Sequence, residues 1–223
     1  MKKLFLLAII FINVTTAHSY ANNFSVGLKS GFGISLLMAE EHRHPVTNKT
    51  LRYLGNSSLT AGGELYFTHW LGYFSDNKFI KQWGLQLETG YNGHFFGQVD
   101  VDYSSIIEIR NMNYTAHNFM AGLLVAGKLA PFGGYGGGYG YFTVGPAFYY
   151  QQLSLGEVVY RPTTLLAAVA EAGLRLPIYN SSGEWLLSLR ADFKFPIQAA
   201  VRARWVANDS IVIAIRVGYG FSF

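Results

Sequence analysis

The sequence predicts an all-β fold: an eight-stranded antiparallel up-and-down β-barrel that crosses a membrane. Three observations carry that expectation. Apolar and polar residues alternate with period two along most of the chain, as they do in strands with two unlike faces. The segments between the alternating stretches are by turns long and short. Charged residues within the stretches keep to the parity opposite the apolar one.

Composition narrows the class first. The chain has 223 residues, room for one sizeable domain. Half are hydrophobic, 16% are aromatic, 25 are glycine and only 13% are charged. That charged share is about half that of an ordinary soluble domain. Such a chain is not disordered, and it does not read as an ordinary soluble enzyme. There is no cysteine, which excludes a disulfide scaffold and a thiolate zinc site. No basic stripe appears, so nucleic acid is not an expected partner.

Residues 1–21 read as an export signal. Lys2 and Lys3 precede the apolar run Leu4 to Ile12, and Ser19-Tyr20-Ala21 forms a small-x-small cleavage site. The run falls far short of the ~20 residues a spanning helix needs. The expected mature domain is therefore 22–223. Loss of Lys2 and Lys3 lowers Lys+Arg from 17 to 15 against 13 Asp+Glu, a formal charge of +2.

The strands follow in order. Phe24 to Leu36 sets Phe24, Val26, Leu28, Phe32, Ile34 and Leu36 against Ser25, Gly27, Lys29, Gly31 and Gly33. Leu59 to Trp70 sets Leu59, Ala61, Leu65 and Phe67 against Thr60, Gly62, Glu64, Tyr66 and Thr68. Trp83 to Phe95 sets Trp83, Leu85, Leu87, Tyr91 and Phe95 against Gln86, Glu88, Asn92 and His94. In Thr115 to Leu129 the apolar parity holds Phe119, Ala121, Leu123 and Val125, the other Asn118, Gly122 and Lys128. Gly140 to Gln151 is aromatic on both faces and contains Pro146, which cannot donate to a ladder. "LLAAVAEAGLRLP" within Thr164 to Pro177 has helical propensity. Glu171, Gly173 and Arg175 share a parity, however, and the segment is read as a strand. Trp185 to Phe195 sets Trp185, Leu187, Leu189, Phe193 and Phe195 against Ser188, Arg190, Asp192 and Lys194. Ile211 to Phe223 closes the series, with Arg216 on the polar parity.

Long connections are expected at 38–58, 97–113, 152–162 and 196–208, and short ones at 71–81, 130–138 and 178–183. The short set is rich in turn formers, as in "SDNK" and "NSSG".

A soluble sandwich also alternates, so lipid has to be argued separately. These stretches exceed the usual globular strand of about five to six residues and match the ~9–11 tilted residues that cross a bilayer. Aromatics collect near their ends: Phe24, Phe67, Trp70, Trp83, Phe95, Trp185, Phe193, Phe195, Phe221 and Phe223. Aromatic girdles mark membrane–water boundaries. The polar parity then faces a lumen. There Lys29, Glu64, Glu88, Lys128, Glu171, Arg175, Arg190, Asp192, Lys194 and Arg216 are expected to pair as a structural charge network, because an unpaired buried charge is costly. An even strand number puts both termini on the side of the short turns.

The C-terminal alternating strand ending in Phe223 and the stretch "YGYFTVGPAFYY" (Tyr139 to Tyr150) resemble the small bacterial outer-membrane β-barrels of the OmpA/OmpX type. The resemblance covers about residues 24–223. It implies a bacterial outer-membrane location with periplasmic termini, outer-membrane lipid as surroundings, and an assembly machinery that reads Phe223 as a signal. It implies no activity, since fold and function separate readily.

No catalytic, cofactor-binding or metal-binding residue is expected. "EEHRHP" gathers Glu40, Glu41, His42 and His44 in a loop, but the spacing fits no specific metal signature. "GGYGGGYG" lacks the register and strand-to-helix context of a phosphate cradle. The functional expectation is a non-enzymatic, monomeric barrel whose long outer loops touch host or environmental ligands or support the envelope. The alternative is a narrow channel for small solutes. Eight strands leave an interior just filled by side chains, whereas the lumen-parity glycines favour an opening.

Overall fold

The computed structural model describes residues 24–37, 40–43, 50–54, 57–73, 78–103, 109–133, 137–155, 158–159, 162–178, 181–196 and 210–223. The expected export segment 1–21, His44 and the expected connection 196–208 beyond Pro196 lie outside these.

Eight long strands run in chain order: β1 (Phe24–Leu37), β2 (Ser57–Tyr73), β3 (Ile80–Tyr103), β4 (Ile109–Pro131), β5 (Tyr139–Leu155), β6 (Thr163–Pro177), β7 (Gly183–Pro196) and β8 (Ser210–Ser222). Each pairs antiparallel with its sequence neighbour, and β8 returns to pair with β1 from Ser25↔Ser222 to Leu37↔Ser210. The sheet is therefore closed. Every strand finds partners on both sides, which is the condition for placing a sheet in lipid.

Thr163–Pro177 is a strand despite its alanines and leucines. Its neighbours β5 and β7 supply a ladder on either side, and tertiary pairing outweighs a propensity worth a few tenths of a kcal/mol per residue. Pro146 lies mid-strand in β5. The β4–β5 register runs through Gly122↔Ala147 and resumes at Val125↔Val144, so the ladder is interrupted where a proline cannot donate.

The outer connections differ from expectation. β3 and β4 are 24 and 23 residues long and continue as a paired ribbon through Gly97↔Tyr114 to Asp102↔Ile109. The expected loop 97–113 is thus mostly strand. A bulge between His94 and Gly97 separates the ribbon from the barrel wall. The expected loop 38–58 holds two short strands, Glu40–Arg43 and Thr50–Leu54, and the second pairs with the β3 ribbon. Likewise β5 runs to Leu155 and pairs with a two-residue strand, Val158–Val159. Pairing continues where backbone partners exist and does not stop at the length a bilayer requires.

Candidate functional site in the barrel lumen

Period two decides which side chains enter the lumen. Lys29 on β1, Glu64 on β2, Glu88 on β3, Glu171 on β6, Arg190 and Asp192 on β7 and Arg216 on β8 are all buried. They meet at mid-height although they come from six strands. Lys29 Nζ donates to Glu88 Oε1 at 2.7 Å and to Glu171 Oε2 at 2.6 Å, with Glu64 Oε2 at 3.8 Å. Arg190 Nη1 donates to Glu88 Oε2 at 2.5 Å and to Glu64 Oε2 at 2.9 Å, while its Nε donates to Asp192 Oδ1 at 2.8 Å. Arg216 Nη2 lies 3.0 Å from Glu64 Oε1.

Neutral donors complete the carboxylates. Tyr141 and Ser188 donate to Glu171 Oε1 at 2.6 and 2.7 Å. Gln86 donates to Glu88 Oε1 at 2.6 Å, and Tyr149 to Asp192 Oδ2 at 2.8 Å. Glu64, Glu88 and Glu171 stand close enough together to suggest a metal site. Lys29, Arg190 and Arg216 bring three protein cations to these three carboxylates.

Toward the short-turn end a second layer forms. Arg175 Nη1 donates to Glu184 Oε1 at 2.5 Å, and its guanidinium lies over the rings of Tyr141, Tyr66 and Trp70 at 4.7, 5.2 and 5.8 Å. Tyr139 donates to Glu184 Oε2 at 2.5 Å. Lys128 stands 4.3 Å over the Trp70 ring and 5.3 Å over Tyr139, away from the central network. Trp70 was expected at the membrane boundary. It instead points inward, 3% exposed, and donates from Nε1 to Ser25 Oγ at 2.9 Å. An indole can be buried when its N–H finds an acceptor, and here the parity it shares with Glu64 and Tyr66 prevails.

In the outer half Lys194 Nζ sits 3.2 Å from His94 Nε2 and 4.5 Å over the Tyr149 ring. Ser58 Oγ is 3.4 Å from His94 Nδ1, a long contact with lysine rather than a carboxylate on the far side of the imidazole. Beside these, Met120, Leu124, Leu165 and Val169 make an apolar patch within the lumen.

The lumen glycines make room for these side chains. A Cβ on Gly220 or Gly27 would meet the Tyr66 hydroxyl, and one on Gly90 would come within 2.7 Å of Glu64 Cγ. At Gly27, Gly90 and Gly220 the space beside the backbone is taken by neighbouring side chains.

The opposite parity decides the environment. Phe32 is 69% exposed while Lys29, on the same strand, is 1% exposed. Leu28, Leu65, Leu87, Leu123, Leu189 and Ile215 continue the exposed apolar band around the barrel. A closed sheet with charges inside and bare leucines outside is stable only where the outer solvent is hydrocarbon. The chain is a closed eight-stranded β-barrel that turns an apolar face outward.

No protein-family model matches the chain, and no curated protein matches it. Solved structures with a similar arrangement include Ail, the attachment invasion locus protein of Yersinia pestis, at 13% identity, covering 89% of this chain and 98% of that one, with a TM-score of 0.42. Neisserial surface protein A is 8% identical over 92% of this chain and 100% of its own, with a TM-score of 0.48. OprG from Pseudomonas aeruginosa is 14% identical over 89% and 95%, with a TM-score of 0.46. The assignment of this barrel rests on its own closed register and its exposed apolar band.

Several lumen residues escape the sequence reading. Glu184 holds Arg175, and Tyr139, Tyr141 and Tyr149 each donate to a buried carboxylate. Parity counted back from Arg190 places Glu184 inside. The signal is masked by Leu186, an apolar side chain that also faces inward.

Proposed function

We propose that this protein is a non-enzymatic, monomeric barrel of the bacterial outer membrane that acts through its outer connections, with a lumen closed to solute flow by its charge network. The observation that carries this reading is the Arg190–Glu88 pair. β3 and β7 lie opposite each other in an eight-membered ring, and their side chains meet at 2.5 Å. Lys29 and Glu171 add a second link between β1 and β6 at 2.6 Å. Breaking such pairs without replacement strands buried charge, so the closed state resists opening.

The outer side is where chain is invested. The β3–β4 ribbon and the short strands beside it extend the sheet beyond the wall. They offer a surface for host or environmental ligands, with the termini on the periplasmic side and residues 1–21 removed on export. Phe223 serves, in this proposal, as the signal read by the assembly machinery.

Planar-bilayer recording of the refolded protein tests the closed lumen. The reading predicts no sustained conductance for the wild type and its appearance when Arg190 and Glu88 are both replaced by alanine. Steady ohmic conductance of the wild type would favour the narrow-channel alternative.

A further inference from the structure

We propose that the lumen binds a small oxyanion, a carboxylate or a phosphate, just outward of the central network, between Arg216 on β8 and Asn92 on β3. Asn92 pairs with Gly62, Gly62 with Gly31, and Gly31 with Arg216, in one row across four adjacent strands. Two donors thus flank two positions that carry no side chain. A Cβ on Gly31 would meet the backbone of Ile215 and one on Gly62 the backbone of Tyr91, so both positions stay without side chains.

The donors are buried and incompletely used. Arg216 is 1% exposed, and its Nε and Nη1 have no hydrogen-bond partner. Glu64 approaches only Nη2, at 3.0 Å, as an ion contact. Asn92 is 3% exposed, and its Nδ2 also has no partner. Its Oδ1 accepts from Thr60, which sets the amide with its NH₂ unengaged. A buried donor without an acceptor is unfavourable, and a guanidinium N–H bonded to a carboxylate or phosphate oxygen makes a charge-assisted hydrogen bond.

The neighbouring carboxylates already have donors of their own. Glu88 and Glu171 are held by Lys29 and Arg190, and both oxygens of Asp192 accept, from Arg190 and Tyr149. Lys194 Nζ lies 3.2 Å from His94 Nε2, with no carboxylate at ion-pair distance among the described residues. One oxyanion would provide acceptors for Arg216 and Asn92 together. With the central network beneath it, the anion enters from the outer mouth.

The test uses the full barrel refolded in detergent micelles, with heat-modifiable gel migration to confirm that each variant is folded. Sodium phosphate and sodium acetate are titrated separately against sodium chloride at equal ionic strength, and the Arg216 Nε–H and Asn92 NH₂ signals are followed by NMR. The proposal predicts a saturable shift with at least one oxyanion, weakened tenfold or more in Arg216→Gln and in Asn92→Asp and unchanged in the lipid-facing Ile215→Val. Should Arg216→Gln fail to refold, Asn92→Asp decides, since it keeps the volume while replacing a donor with a repelling charge. A response to phosphate alone or acetate alone assigns the oxyanion class. No saturable response beyond that of chloride, or equal affinity in the wild type and folded variants, overturns the site.

Discussion

Phe24 and Phe223 exchange both of their backbone hydrogen bonds. Each N–H donates to the other residue's carbonyl at 2.9 Å, and the ring centroids are 6.2 Å apart. The first and last described residues thus close the β1–β8 seam at the end that carries the short turns. This separates two roles for Phe223 that a deletion would merge. Phe223→Ala keeps the backbone pair and loses only the ring, which is 61% exposed, at about 1–2 kcal/mol. It should refold in detergent nearly as well as the wild type, yet reach the outer membrane of cells in much lower amount. Normal surface levels of Phe223→Ala would remove the assembly signal. Equal loss in both assays would make the ring purely structural.

Glu88 accepts from Lys29, Gln86 and Arg190 at once. Glu88→Ala should lower the stability of the refolded barrel by about 3–5 kcal/mol, the usual result of stranding one side of a buried pair. Glu88→Gln keeps the shape and should fall between. The readout is the urea midpoint in detergent or lipid. An unchanged midpoint in Glu88→Ala would place these charges in water.

The fit of Tyr66 against Gly220 gives a rescue experiment. A Cβ at position 220 would meet the Tyr66 hydroxyl, so Gly220→Ala should cost about 1–3 kcal/mol through overpacking. That hydroxyl has no hydrogen-bond partner. Tyr66→Phe alone should therefore be nearly neutral, and the double variant should recover part of the loss. Additive destabilisation would mean that strand spacing, rather than the hydroxyl, excludes the methyl group.

The outward face should reject charge according to depth. Ile215 is 48% exposed at mid-strand, and Ile215→Arg should cost roughly 2–4 kcal/mol in a bilayer. The same change at Ser182, in the β6–β7 turn, should cost little. Equal tolerance at the two positions in lipid vesicles would argue for water on that face.

What the sequence reveals here is what alternation controls. The parity of Lys29, Glu64 and Arg190 is legible because lipid on one side and a crowded lumen on the other leave period two no freedom. Trp70 shows that parity is the stronger guide, since its residue type suggested the boundary and its register placed it inside. The ends of β3 and β4 are not legible from bilayer thickness, because backbone pairing continues wherever two strands stay in register. The partners across the lumen are the least visible. Arg190 and Glu64 are 126 residues apart, and only closure of β8 on β1 brings their strands to the same ring.

The most direct test of the account uses the absence of cysteine from the chain. Single cysteines placed in turn from Ile211 to Gly218 can each carry a spin label in the vesicle-inserted protein, and collisions with oxygen and with a water-soluble nickel chelate are then measured. The account predicts high oxygen access and low nickel access at Ile211, Ile213, Ile215 and Val217, with low oxygen access on the alternate positions Val212, Ala214 and Gly218. High nickel access at the isoleucine positions, or no alternation at all, would contradict a barrel that turns this face to lipid.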